Sequence, residues 1–160
     1  MNVLVTGGAG YIGSHVVEEL QKNGFTPIVY DNLSTGHAAA VPEEVQLVVG
    51  RYPHDVAFLK HIMAQFEIDA VIHFAASSLV GESMENPSKY YFNNVEGSLH
   101  LLEAMKGAGV DYIVFSSTAA VYGEPESVPI KEDSCLNPTN VYGRTKLMIE
   151  KMLADYDMAY

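Results

Sequence analysis

The chain has 160 residues, of which 48% are hydrophobic and 18% are charged, which suits one domain with a core and excludes the disordered and fibrous classes. A net charge of −11 argues against nucleic acid and anionic membranes as partners. Cys135 is the single cysteine, so no internal disulfide forms, and the histidines show no metal-ligand spacing. With no signal-peptide pattern and no membrane-length apolar run, we expect a cytoplasmic protein without a metal.

The first predicted strand, residues 3–6, leads directly into a glycine-rich turn. Gly7, Gly10 and Gly13 follow at a spacing of three, and a helix is predicted over residues 14–23. Glycine lets the backbone approach phosphates closely, and a helix N-terminus offers unpaired N–H groups and the positive end of its dipole. This pattern predicts a pyrophosphate-binding turn.

The second predicted strand, Thr26–Asp31, ends in an acid. In dinucleotide-binding folds an acid at this place binds the adenosine ribose hydroxyls. Its charge would repel a 2′-phosphate, so Asp31 predicts NAD rather than NADP. A plain turn residue is the alternative explanation of Asp31, and the neighbouring glycine-rich turn makes that explanation weaker.

Strands and helices alternate along the rest of the chain. Further strands are predicted over residues 45–49, 70–74 and 112–116, and further helices over 58–66, from Pro87 to Gly107 or Gly109, and over 141–157. The strands are nearly continuous apolar runs, as expected for burial on both faces. The alternation predicts an α/β fold with a doubly wound parallel sheet of the Rossmann type. Five strands are predicted where six would complete such a sheet, so we expect the fold to stop before its final strands.

Polar side chains that could take part in catalysis lie at the end of the last strand and on the last helix. Tyr142 and Lys146 are four residues apart and so share one helix face. A lone phenol, with a reference pKa of about 10, is a poor base, but a neighbouring ammonium favours the phenolate. Ser116, Ser117 and Thr118 lie at the C-terminal end of the fifth strand, and open α/β sheets bind ligands beyond the carboxyl ends of their strands. Together they predict alcohol oxidation with the tyrosine as proton acceptor; a surface tyrosine beside a solvated lysine is the structural alternative.

The chain resembles the extended short-chain dehydrogenase/reductase family, most closely the members that epimerise UDP-sugars. The matching stretches are residues 6–15, 31–37, 71–76, 80–83, Pro87 with 90–95, 116–123 and 142–146. The resemblance implies NAD-dependent interconversion of UDP-glucose and UDP-galactose through a 4-keto intermediate. It covers the N-terminal half of a family member, which implies an incomplete NAD-binding Rossmann domain over residues 1–160 and no C-terminal nucleotide-sugar domain.

The resemblance also implies roles for individual residues. Thr118, Tyr142 and Lys146 would form the catalytic group, with Tyr142 as the base and Lys146 on the nicotinamide ribose. The cofactor would be bound by Gly7, Gly10, Tyr11, Ile12, Gly13, Asp31, Asn32, Leu33, Ser34, Thr35, Gly36, Arg51, Tyr52, Phe74, Ala75, Ala76, Ser78, Asn93 and Ser116, together with Tyr142 and Lys146.

Several positions depart from the patterns of related enzymes. Residues 50–52 are Gly-Arg-Tyr where the family has an acid and an apolar residue, so we expect no side-chain contact to the adenine amine. Ser78 replaces a lysine with which some epimerases hold the cofactor. Ala119 and Ala120 replace the Asp-Glu pair of nucleotide-sugar dehydratases, and alanine cannot transfer the protons that elimination needs.

Other functions stay open, because most of the implied UDP-sugar site is missing. The alternatives are an NAD-binding module without turnover, a uronate epimerase and a nucleotide-sugar reductase. We also expect the fifth strand to be an unpaired edge, and such edges recruit other chains. Self-association or a homo-oligomer, or else a loosened C-terminal helix, is therefore expected, together with weak or absent epimerase activity.

Overall fold

The computed structural model describes residues 1–50, 55–125 and 127–160. These residues form two compact units. The first comprises Met1–Ala75 and His100–Ser116, and the second comprises Ala76–Leu99 and Ser117–Tyr160. Among the described helices, none is both long enough and apolar enough to cross a bilayer.

The first unit is built on a five-stranded parallel sheet. Its strands are β1 (Asn2–Thr6), β2 (Thr26–Asp31), β3 (Gln46–Val49), β4 (Ala70–His73) and β5 (Tyr112–Phe115), in the order β3-β2-β1-β4-β5. Every neighbouring pair is parallel. This is the order of the first five strands of a Rossmann sheet, 3-2-1-4-5-6. The predicted α/β fold is therefore confirmed, with strand ends within one residue of the prediction.

Two helices of the first unit connect its strands. Helix α1 (Tyr11–Lys22) follows β1, and helix α2 (Val56–Gln65) follows β3. The Asp55 carboxylate caps α2 by accepting hydrogen bonds from the first-turn N–H groups. A valine-rich core lies beneath α1 and is formed by Val3, Val5, Ala9, Val17, Val29, Val41 and Val45. This core packs β1 and β2 against α1, the helix that follows the glycine-rich turn.

The two edges of the described sheet are β3 and β5. In β5, Tyr112 is 70% exposed and Val114 is 63% exposed, and both side chains point to the same face because they are two residues apart. The prediction of burial on both faces is thus right for the central strand β1, which is buried from Val3 to Thr6, and wrong for β5. The faces of a strand are buried by the helices that pack on them, so an apolar composition alone does not guarantee burial.

The second unit is helical. It contains α3 (Val80–Glu85), α4 (Pro87–Tyr90), a π-helical segment (Tyr91–Glu96), a 3-10 turn (Ala119–Tyr122) and α6 (Val141–Ala159). Helix α5 (Gly97–Ala108) contributes residues 97–99 to this unit and residues 100–108 to the first. The sequence predicted one uninterrupted helix from Pro87 and did not predict α3. Within this unit α6 packs against α3, the π-helical segment and the 3-10 turn, and its buried face includes Thr145 and Lys146.

Candidate functional site

The glycine-rich turn lies at the carboxyl end of β1. Gly7 has a φ of +74°, and its N–H donates to the Tyr30 carbonyl oxygen at 2.8 Å. A Cβ atom on Gly7 would lie 2.7 Å from the Ala75 nitrogen, and one on Gly13 would lie 2.3 Å from the Gly7 oxygen. Because these neighbours are backbone atoms, both positions require glycine. The turn therefore presents backbone rather than side chains to a ligand.

Helix α1 starts without a side-chain cap among the described residues. Gly10 is the N-cap residue, and the first turn carries no acid. The first N–H groups and the positive end of the helix dipole are therefore suited to a phosphate. Tyr11 is 83% exposed and Ile12 is also exposed, so both side chains lie at the surface around this helix start.

Asp31 is buried at the carboxyl end of β2, and both of its carboxylate oxygens accept backbone hydrogen bonds. Oδ2 accepts from the Ala9 N–H at 3.0 Å, and Oδ1 accepts from the Leu33 N–H at 2.8 Å. The His37 N–H donates to the Ala9 oxygen at 2.9 Å, which ties the loop of residues 32–36 to the glycine-rich turn. Each carboxylate oxygen has two lone pairs, so Asp31 can accept further hydrogen bonds from hydroxyls while its position stays fixed.

The other predicted cofactor residues of the first unit follow the ends of its strands. The Phe74 N–H donates to the Thr6 oxygen at 2.9 Å, and the Ser116 N–H donates to the His73 oxygen at 3.1 Å. These bonds bring together the residues that follow β1, β4 and β5. Asn32, Ser34 and Thr35 are exposed in the loop after β2, whereas Leu33 and Ala75 are half-buried and Gly36 is buried. Arg51 and Tyr52 lie outside the described residues.

The first unit has the parts that a dinucleotide needs. The turn offers backbone N–H groups without side chains, α1 begins uncapped among the described residues, and Asp31 presents an oriented carboxylate at the next strand. In open α/β sheets these parts hold a pyrophosphate and the adenosine ribose hydroxyls. The residues present therefore fit NAD. Within the described part of the chain, no group of three His, Cys, Asp or Glu side chains could hold a metal ion.

In the second unit, Tyr142 and Lys146 lie one turn apart on α6. Lys146 is 2% exposed, and its Nζ lies 5.9 Å from the centroid of the Tyr142 ring. Burial disfavours the ammonium and lowers the pKa of Lys146 to about 8. The side chain is therefore still mostly protonated at pH 7, and it places a cation beside a phenol. Such a pair has the chemistry that a tyrosine base requires.

Thr118 is held at the start of the 3-10 turn of the second unit. Its Oγ1 accepts a hydrogen bond from the Ala120 N–H at 3.2 Å. This bond uses a lone pair of Oγ1 and leaves the hydroxyl proton to be donated. The neighbouring Ser117 hydroxyl donates to Glu150 on α6, which fastens this segment to the helix that carries Tyr142.

Three further cofactor residues of the sequence analysis lie in the second unit. Ser78 is exposed, and Ala76 and Asn93 are half-buried. The Asn93 side-chain amide donates to Oδ1 of Asn94 at 3.0 Å. In this arrangement Asn93 orients its neighbour, and its contact with a cofactor stays a prediction.

Three buried polar residues around Tyr142 were not predicted from the sequence. Asn94 accepts from the Ser77 N–H at 2.8 Å and donates to Thr145 Oγ1 at 3.1 Å. Thr145 in turn donates to the Tyr142 carbonyl oxygen at 2.7 Å, and Ser83 Oγ accepts from the Tyr142 N–H at 3.2 Å. The spacing of these residues gives no signal.

Comparison with known proteins agrees with this geometry. The chain matches the NAD dependent epimerase/dehydratase family over residues 3–160. It is 53% identical over 159 residues to the UDP-glucose 4-epimerase of Lactobacillus helveticus, which covers 99% of this chain and 48% of the relative. It is also similar to the crystal structure of UDP-glucose 4-epimerase from Brucella ovis in complex with NAD, with 52% identity, a TM-score of 0.96, and coverage of 99% of this chain and 48% of that one.

A further similar structure is UDP-glucose 4-epimerase from Bifidobacterium longum in complex with NAD+ and UDP. It is 39% identical with a TM-score of 0.94, over 99% of this chain and 50% of that one. The chain thus spans about half the length of the curated relatives it matches. The resemblance predicted from the sequence is confirmed: the chain belongs to the NAD dependent epimerase/dehydratase family.

Proposed function

We propose that the chain binds NAD and carries the proton-transfer group of an enzyme that interconverts UDP-glucose and UDP-galactose. The observation that carries the proposal is the buried Lys146 beside Tyr142 on α6. Lysine is almost never fully buried unless it is paired, and here the phenol ring of Tyr142 lies beside it. The relatives support the substrate class, because they are UDP-glucose 4-epimerases and one was solved with NAD+ and UDP.

The first unit supplies the proposed cofactor site. The glycine-rich turn and the start of α1 would hold the pyrophosphate, and the Asp31 carboxylate would accept hydrogen bonds from the ribose hydroxyls. The same carboxylate would repel a 2′-phosphate, which favours NAD over NADP. When bound, NAD supplies the acceptor for the hydrogen that leaves C4 of the sugar with its electron pair.

The second unit supplies the proposed acid–base group. Tyr142 would take the proton of the sugar 4-hydroxyl as C4 becomes a ketone. After the 4-keto sugar has rotated in the site, C4 would receive its hydrogen with the electron pair on the other face, and Tyr142 would return the proton to the oxygen. The Lys146 ammonium favours the phenolate that the first step needs. Thr118 would donate a hydrogen bond from its hydroxyl group to the substrate oxygen and so orient the substrate. Ala119 and Ala120 offer no further proton donor, which favours epimerisation over dehydration.

The domain assignment also belongs to this proposal. Residues 1–160 would act as the NAD-binding part of the family fold, with most UDP-sugar contacts made outside them.

The test is conversion of UDP-galactose to UDP-glucose by the purified chain with NAD. We expect detectable conversion that Tyr142→Phe abolishes while NAD binding persists, and no such loss in Tyr160→Phe, which alters an exposed tyrosine of the same unit. Conversion of UDP-glucuronate instead would make the chain a uronate epimerase. NAD binding without conversion of either sugar would make it a cofactor-binding module, and full activity of Tyr142→Phe would refute the role of the base.

A further inference from the structure

Both backbone polar groups of Tyr142 form hydrogen bonds with side chains. Its carbonyl oxygen accepts from the Thr145 hydroxyl at 2.7 Å, and its N–H donates to Ser83 Oγ at 3.2 Å. Thr145 lies on α6 itself, whereas Ser83 lies 59 residues away on α3. Both side chains are fully buried. Ser83 therefore fastens α6 to α3 at the residue that carries the phenol.

The Ser83 hydroxyl is oriented for this contact. A hydroxyl has one proton, and Ser83 donates it to the Val80 carbonyl oxygen at 2.6 Å within α3. Toward Tyr142, the Ser83 oxygen can therefore act only as a hydrogen-bond acceptor. Because the Val80 bond also restricts rotation about the Ser83 side chain, the accepting lone pair is held in place before Tyr142 docks against it.

A conventional cap of α6 does not explain this bond. The first N–H groups of a helix lack intrahelical partners, and Asn140 satisfies one of them by accepting from the Gly143 N–H at 2.8 Å. Ser83 adds a second acceptor from another helix, directed at Tyr142. We infer that Ser83 is a positioning residue, which acts through the Tyr142 N–H and keeps the phenol beside Lys146. This inference rests on the proposed function, because it assumes that Tyr142 transfers a proton.

The test compares Ser83→Ala with Asn140→Ala, since each variant removes one acceptor from the first turn of α6. If Ser83 positions the base, Ser83→Ala lowers kcat for UDP-galactose about 10- to 100-fold and changes KM less than about twofold, because a small displacement of a reacting group is that costly. Asn140→Ala lowers kcat by less than about threefold, even if it lowers the melting temperature as much as Ser83→Ala does. Ser83→Thr keeps the hydroxyl and restores most of kcat.

Amide hydrogen exchange gives a readout that does not depend on turnover. Ser83→Ala should speed exchange of the Tyr142 N–H by about tenfold or more, with little change at Gly143. Unchanged exchange would show that the bond to Ser83 does not hold Tyr142. Equal kcat losses in Ser83→Ala and Asn140→Ala would reduce Ser83 to an ordinary cap and overturn the inference. Absence of turnover in the unaltered chain would instead refute the proposed function, and the positioning role with it, while exchange would still report on the bond.

Discussion

Lys146 is the residue at which stability and proposed function conflict most clearly. Burial of its ammonium costs free energy, and the lowered pKa of about 8 expresses that cost. A buried cation beside Tyr142 is nevertheless what a phenolate base needs. Residues kept for chemistry commonly reduce stability in this way, which makes the cost itself measurable.

Lys146→Met should raise the free energy of unfolding at pH 7 by on the order of 1–3 kcal/mol, because it removes a desolvated charge and keeps most of the apolar volume. The pKa of Lys146 falls from 10.5 to about 8 on folding, so between these values the folded chain has already released the proton that the unfolded chain still binds. The unaltered chain therefore gains stability as pH rises through this window, and the advantage of the variant shrinks.

Urea unfolding of both proteins at pH 7 and near pH 10 measures this difference. Lys151→Met is the matched control, because Lys151 is exposed on the same helix and its loss should leave the pH dependence unaltered. A stability difference between Lys146→Met and the unaltered chain that does not change with pH would contradict the prediction.

Sequence spacing predicted some residues of the candidate site and could not predict others. Tyr142 and Lys146 were predicted because residues four apart share a helix face, and Asp31 because it ends a strand near a glycine-rich turn. Ser83 and Asn94 were missed because tertiary packing brings them to Tyr142 from α3 and the π-helical segment. Their partners are far away in the sequence, so no local pattern reports them.

Among the helices and strands, apolar periodicity predicted the five strands and the long helices. It missed α3, whose six residues bury only Ser83 and so show no apolar stripe. It placed the start of α1 at residue 14 instead of Tyr11, because Tyr11 and Ile12 are exposed and do not fit an inward face. It also could not predict the π-helical segment, since a local change of hydrogen bonding leaves the apolar spacing almost unaltered.

Gly13→Ala should weaken folding and NAD binding together, because its Cβ atom would lie 2.3 Å from the Gly7 oxygen and 2.8 Å from the Gly8 Cα. We expect a loss of about 2–4 kcal/mol in unfolding free energy from such overpacking against backbone. Gly81→Ala is the control within α3, where an added Cβ has nothing within 4 Å and should stabilise the helix by about 0.5–1 kcal/mol. Thermal unfolding of both variants measures the contrast, and similar effects in the two would contradict it.

For the chain as a whole, the exposed face of β5 is a candidate for self-association. β5 is an edge strand of the described sheet, edge strands can pair with a second chain, and Val114 adds exposed apolar surface there. We expect the apparent mass in light scattering to rise with protein concentration, and Val114→Lys to suppress that rise. Val128→Lys, which alters an 82% exposed valine of the other unit, should not. A monodisperse monomer at every concentration would refute this prediction.

Cofactor binding is where the proposed function can be refuted with the fewest assumptions. In native mass spectrometry of the purified chain titrated with NAD and NADP, we predict one NAD per chain and a clear preference for NAD. Asp31→Ala should weaken NAD binding by roughly 1–3 kcal/mol, because it leaves ribose hydroxyls unpaired. Failure to bind NAD, or equal or tighter binding of NADP, would contradict the cofactor site at the glycine-rich turn and Asp31.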